Sequence, residues 1–95
     1  MNKANLDERQ TVLFSGRVQG VGFRFTTQSI ARDYAITGTV KNLPDGRVEL
    51  IVEGKQTEIR QFVGMIEQRM NNHISHQQIT TSTPENQFTD FSIAR

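Results

Sequence analysis

Hydrophobic and polar positions alternate from Thr11 to Arg17, with Val12 and Phe14 on one face and Leu13 and Ser15 on the other. That period predicts a strand half buried against another layer. Phe23, Thr27, Ile30, Ala31 and Tyr34 then recur at three- and four-residue spacing, which predicts an amphipathic helix over Phe23 to Tyr34. Two further period-two segments follow. Ile36, Gly38, Val40 and Asn42 share one side of the first, and Val48, Leu50 and Val52 one side of the second. Leu43-Pro44-Asp45-Gly46 lies between them: proline presets a negative φ, Asp bonds its own backbone and glycine accepts a positive φ, so the two segments form an antiparallel hairpin. Ile59, Phe62, Val63, Ile66 and Met70 return to helical spacing within Lys55 to Asn71, with Met65 and Met70 as core filler. Gln77 to Thr81 is a weak strand pattern, Ser82 to Gln87 a loop, and Phe88 to Ala94 a short last strand.

Strand, helix, two-stranded hairpin, helix, strand is the order of an α+β, ferredoxin-like βαββαβ sandwich, an antiparallel sheet with both helices on one face. Right-handed crossovers put the first strand centrally, beside the third. The loop after the first strand is then mid-sheet, and the hairpin brings Lys41 and Asn42 toward the same end.

That loop, Ser15-Gly16-Arg17-Val18-Gln19-Gly20-Val21-Gly22-Phe23-Arg24, has the chemistry of an anion cradle. Glycines at 16, 20 and 22 open positive-φ conformations and remove side chains that would keep a ligand off the main chain. The N–H groups from Gln19 through Gly20, Val21, Gly22 and Phe23 to Arg24 then face a ligand from the start of a helix, whose dipole favours an anion. Arg24 adds a planar fork of donors able to hold two oxygens of one phosphoryl group. A Walker A loop is excluded, because Phe23-Arg24 follows the last glycine where Lys-Ser/Thr is required. A dinucleotide fingerprint is excluded because Phe25 stands where its third glycine belongs. The simpler alternative is a glycine-rich turn with a solvated Arg24.

Composition narrows the rest. A chain of 95 residues, 35% hydrophobic, holds one core, preceded by a polar tail over residues 1–10. A net charge of +1 supplies no basic face for nucleic acid, and no apolar run is long enough for a membrane span. The absence of cysteine removes disulfides, thiol nucleophiles and thiolate metal sites and accords with a cytoplasmic protein. Arg17, Arg24, Arg32, Lys41 and Arg47 face only Asp33 and Asp45 between Gly16 and Arg47, which draws anions toward the loop half. His73 and His76 lack the carboxylates or thiols of a metal site and read as surface residues. Glu49 and Glu53 read as solvated residues of the open sheet face.

GRVQGVGFR (Gly16 to Arg24) and GTVKNLPDGRVE (Gly38 to Glu49) resemble the two signature segments of the acylphosphatase family, with the close match running from Val12 to Gly54. The resemblance implies a single acylphosphatase-like domain over 11–95 and hydrolysis of the carboxyl–phosphate bond of small acyl phosphates without metal or cofactor. It places the phosphate-binding arginine on Arg24 and the water-orienting asparagine on Asn42. Inorganic phosphate is then product and competitor, and a monomer is expected. The Gly-Pro that many relatives carry after the second helix is replaced by Asn71-Asn72-His73-Ile74-Ser75. Two other readings stay open: a non-catalytic ferredoxin-like small-ligand or regulatory module, and the acylphosphatase-like domain of hydrogenase-maturation carbamoyltransferases.

Overall fold

The computed structural model describes residues 7–95. Its elements run β1 (Asp7–Gly16), α1 (Phe23–Ala31), β2 (Ile36–Asn42), β3 (Val48–Lys55), α2 (Gln56–Arg69), β4 (Ile74–Ser82) and β5 (Phe91–Ile93). The strands form one sheet in the order β4-β1-β3-β2-β5, so β1 is central and beside β3, as the crossover rule requires. Both helices cover one face, giving the ferredoxin-like arrangement.

The layer is held by the alternation seen in the sequence. Val12 and Phe14 of β1, Val40 of β2 and Val48, Leu50 and Val52 of β3 have no solvent exposure, and they meet Phe23 and Ile30 of α1 and Ile59, Phe62 and Ile66 of α2. Full burial of each such side chain contributes about 1.5–3 kcal/mol, so this face rather than helix propensity fixes the fold. Phe62 is met by Tyr34 at 6.0 Å and by Phe91 at 5.5 Å between ring centres, which ties α2 to the segment after α1 and to β5. Met70 is buried and Met65 packs against the core, consistent with filler.

Four boundaries differ from the sequence expectation. The polar tail expected over 1–10 falls partly on residues 1–6, outside the described residues. Residues 7–10 are instead the first rungs of β1, from Asp7 opposite Lys55 to Gln10 opposite Val52. β3 extends far enough to pair them, and the Arg9 side chain finds Glu53. α1 ends at Ala31, and the amides of Arg32, Asp33 and Tyr34 bond to the carbonyls three residues back, a tightened turn that still lets Tyr34 reach Phe62. β4 begins at Ile74 and runs nine residues rather than over Gln77 to Thr81. The final strand is only Phe91–Ile93 and lies parallel to β2, so the sheet is mixed rather than wholly antiparallel.

The parallel fifth strand follows from the path of the chain. After β4, on one edge, residues 83–90 cross to β5 on the opposite edge. They pass over the face that the helices leave open, where the amides of Glu85 and Asn86 reach Glu53 of β3.

Candidate active site

The loop between β1 and α1 is closed at its base by its own flanks. Phe14 before it and Phe23 after it pack with ring centres 5.0 Å apart, and Val18, within it, is fully buried. The loop is thereby anchored to the core at three points. Gly20 and Gly22 between them have φ of 78° and 77°, and a Cβ built at either would meet nothing within 4 Å. Backbone conformation, not crowding, therefore requires glycine there, and the space left open is what a ligand needs to approach the amides.

Gly22 is the N-cap of α1 and makes no side-chain cap, so the first amides of the helix are not capped by a side chain, and the first turn has no acidic residue. Arg24, in that turn, is half-buried and has no carboxylate partner among the described residues. The N-terminal end of α1 thus combines uncapped donors, a dipole that favours negative charge and a guanidinium without an ion-pair partner, a chemistry suited to an anion.

Asn42, the last residue of β2, faces the same cavity of about 510 Å³, which is lined by Val18, Gly20, Gly22, Phe23, Arg24 and Phe25 as well as by Ile93 and Arg95. Its Oδ1 is buried and has no hydrogen-bond partner within the protein. An unsatisfied buried acceptor costs about 1–3 kcal/mol; Thr27 Oγ1 in α1 is unpartnered in the same way but lines no part of this cavity, so it is the position of Asn42 beside the cradle that singles it out. Lys41, expected at the same end, pairs across to Glu49 in register and does not line the cavity.

Of the loop residues assigned to the cradle from sequence, Gly20, Gly22, Phe23 and Arg24 line the cavity, whereas Gln19 and Val21 do not. The Gln19 side chain serves another purpose: its Nε2 donates to the carbonyls of Leu43 at 2.8 Å and Arg47 at 2.9 Å. It ties the cradle to the hairpin that presents Asn42. The hairpin is closed by Leu43 N–H donating to the Arg47 carbonyl at 2.8 Å and by Arg47 N–H donating to Asp45 Oδ1 at 3.1 Å. The Arg47 hydrogen bonds and charge hold the Asp45 carboxyl below its usual range.

The other acids behave differently from expectation in one place. Glu53 is not a solvated residue of the open face but is 4% exposed. Arg9 Nη1 lies 2.8 Å from its Oε2, and the amides of Glu85 and Asn86 donate to it at 2.8 and 2.9 Å. Burial pushes its carboxyl up, yet those amides together with the Arg9 guanidinium outweigh burial and leave it below the usual 4.5. Arg9 in turn sits 5.7 Å over the Phe88 ring. Among the described residues, no three of His, Cys, Asp or Glu come together as metal ligands, and no helix is long and apolar enough to cross a membrane.

Comparison with known proteins agrees with this architecture. The acylphosphatase family model matches residues 10–93. The chain belongs to the acylphosphatase family. An acylphosphatase of Lactobacillus gasseri is 42% identical over 85 residues, covering 87% of this chain and 93% of the relative. The crystal structure of an acylphosphatase from Bacillus subtilis superposes with a TM-score of 0.82 at 32% identity, covering 93% of this chain and 99% of that one. HypF of T. kodakarensis carries the same fold within a longer chain, with a TM-score of 0.79 at 27% identity over 92% of this chain and 12% of HypF.

Proposed function

We propose that this protein hydrolyses acyl phosphates, with Arg24 and the amides of the cradle holding the phosphoryl group and Asn42 orienting the attacking water. The observation that carries the reading is that Asn42, whose Oδ1 is buried without a partner, lines one cavity together with Gly20, Gly22 and Arg24. Family membership supplies the reaction class.

An acyl phosphate expels a carboxylate, which leaves without a general acid. The task that remains is to grip the phosphoryl oxygens, offset charge that develops on them and set water in line. The guanidinium of Arg24 takes two oxygens as a fork, and the amides at the start of α1 take the others. Asn42 Oδ1 accepts a hydrogen bond from the water and points a lone pair of that water at phosphorus, without serving as a base. The new bond is water oxygen to phosphorus; the bond that breaks joins phosphorus to the bridging oxygen, which departs with the carboxylate. Both protons of the water end on the phosphate, giving carboxylate and dihydrogen phosphate from the substrate dianion. Every contact in this scheme is made by protein groups, and no step of it calls on a metal.

The test is hydrolysis of benzoyl phosphate by the purified protein after exhaustive chelation, with inorganic phosphate as competitor. Turnover that persists in chelator and is competitively inhibited by phosphate is the expected result. Activity lost on chelation and restored by a divalent ion would refute the mechanism. Phosphate binding without turnover would favour the non-catalytic module.

A further inference from the structure

The cavity has more wall than a phosphoryl group occupies. Its volume of about 510 Å³ falls among small-molecule clefts of roughly 300–1,000 Å³. Beyond the glycines and Arg24 its lining is Phe25, Ile93 and a second arginine, Arg95. The Phe25 ring is 70% exposed although it follows Arg24 directly in α1.

Arg95 is brought there by main-chain pairing rather than by chance proximity. β5 runs parallel to β2 with Gly38 opposite Phe91, Thr39 opposite Ser92 and Val40 opposite Ile93. The Ala94 amide donates to the Val40 carbonyl at 2.9 Å, which carries the ladder to the residue before Arg95. Continuing that register sets Arg95 level with Asn42. Arg9 and Arg47 are neutralised by carboxylates, whereas Arg95, like Arg24, joins no ion pair among the described residues. One cavity is therefore lined by two arginines that join no ion pair among the described residues: Arg24 at the cradle, and Arg95 on a wall shared with the apolar Ile93 and Phe25.

Resting on the acyl phosphate reading, we propose that Arg95 selects the acyl part of the substrate, favouring acyl phosphates that carry a second anionic group on the carbon portion. The phosphoryl group occupies the cradle, the carbon portion lies along Phe25 and Ile93, and the distal carboxylate or phosphate meets Arg95. A neutral acyl group makes only the first two contacts.

The experiment compares benzoyl phosphate with 4-carboxybenzoyl phosphate on wild type, Arg95→Gln and Arg95→Lys. Arg95→Gln is expected to lower kcat/KM for 4-carboxybenzoyl phosphate about fivefold, the scale of one solvent-accessible ion pair. Benzoyl phosphate should change by less than about twofold, because its phosphoryl contacts are untouched. Arg95→Lys should restore most of the preference, and raised salt should erode it in the wild type. The ratio of the two substrates on one preparation does not depend on how much of the variant is folded. An unchanged ratio in Arg95→Gln, or an equal loss on both substrates, would overturn the assignment. Failure of the wild type to hydrolyse either would refute the acyl phosphate reading itself.

Discussion

The two ends of the sheet treat their polar groups in opposite ways. At the end where β1 stops and β3 begins, Arg24 and Arg95 have no carboxylate partner among the described residues, Asn42 Oδ1 is buried without a partner, and the α1 N-terminus has no side-chain cap. At the other end Glu53 is met by Arg9 and by two main-chain amides, and Arg9 is further covered by Phe88. Both ends rest on the same strands and the same core. The difference teaches that burial of a polar group is not by itself a sign of function. A buried charge whose partners all come from the protein is architecture, and an unpartnered buried polar atom singles out a candidate site only beside an open cavity: Asn42 lines one, whereas Thr27, whose Oγ1 is unpartnered too, does not.

Substitutions break this contrast at different strengths. Arg24→Ala removes the only guanidinium in the cradle loop's helical first turn and should lower kcat/KM by at least about 10³-fold. Arg24→Lys should recover little of it, because a point donor replaces a planar fork; steady-state kinetics with benzoyl phosphate checks both. Asn42→Ala should reduce kcat by about 10²–10³, or ~3–4 kcal/mol, with phosphate inhibition nearly unchanged. Urea unfolding of the same variant should show stability equal to or above wild type, since a buried unsatisfied acceptor has gone.

Glu53→Ala should do the reverse. Leaving Arg9 and two amides without their acceptor is expected to cost about 3 kcal/mol in urea unfolding, while kcat/KM of the folded fraction stays at the wild-type value. Gln19→Ala lies between the two ends in kind, loosening the cradle from the hairpin. Loss of its two hydrogen bonds should cost about 1–3 kcal/mol of stability, with a fall in kcat because Asn42 and the cradle no longer share one frame.

The smallest effect is a pH dependence. The Glu53 carboxyl titrates below its usual 4.5 in the folded protein, so its contribution is whole above that value and is lost as pH falls through the lower, folded one. The gap in unfolding free energy between wild type and Glu53→Gln should therefore be constant near neutral pH and close on acidification. A gap that widened in acid would mean that burial, not its partners, dominates Glu53.

The contrast also explains what the sequence made legible. β1, the β2–β3 hairpin and both helices were readable because each buries one face, and burial writes a period of two or three to four into the chain. β4 was readable only in its middle. It is an edge strand, mostly exposed, and backbone pairing with β1 leaves no hydrophobic alternation. Glu53 was misread for a related reason: period two correctly put it on the face away from the helices, but what buries it is the 83–90 crossing, whose route no local pattern encodes. In the site, the glycines and Arg24 announced a cradle, while the Gln19 side chain could not be assigned to the hairpin before the fold placed it there. Ile93 and Arg95 were invisible because their place in the cavity depends on the register of β5 against a strand some fifty residues earlier.

The central claim is that the cradle end holds the anion and the Glu53 end does not. Titration of the labelled protein with inorganic phosphate, followed by backbone amide resonances, tests it directly. The amides of Gly20 to Arg24 should shift saturably with one binding constant while those of Glu85 and Asn86 stay still. Still resonances at Gly20 to Arg24, or larger shifts at Glu85 and Asn86, would contradict the account.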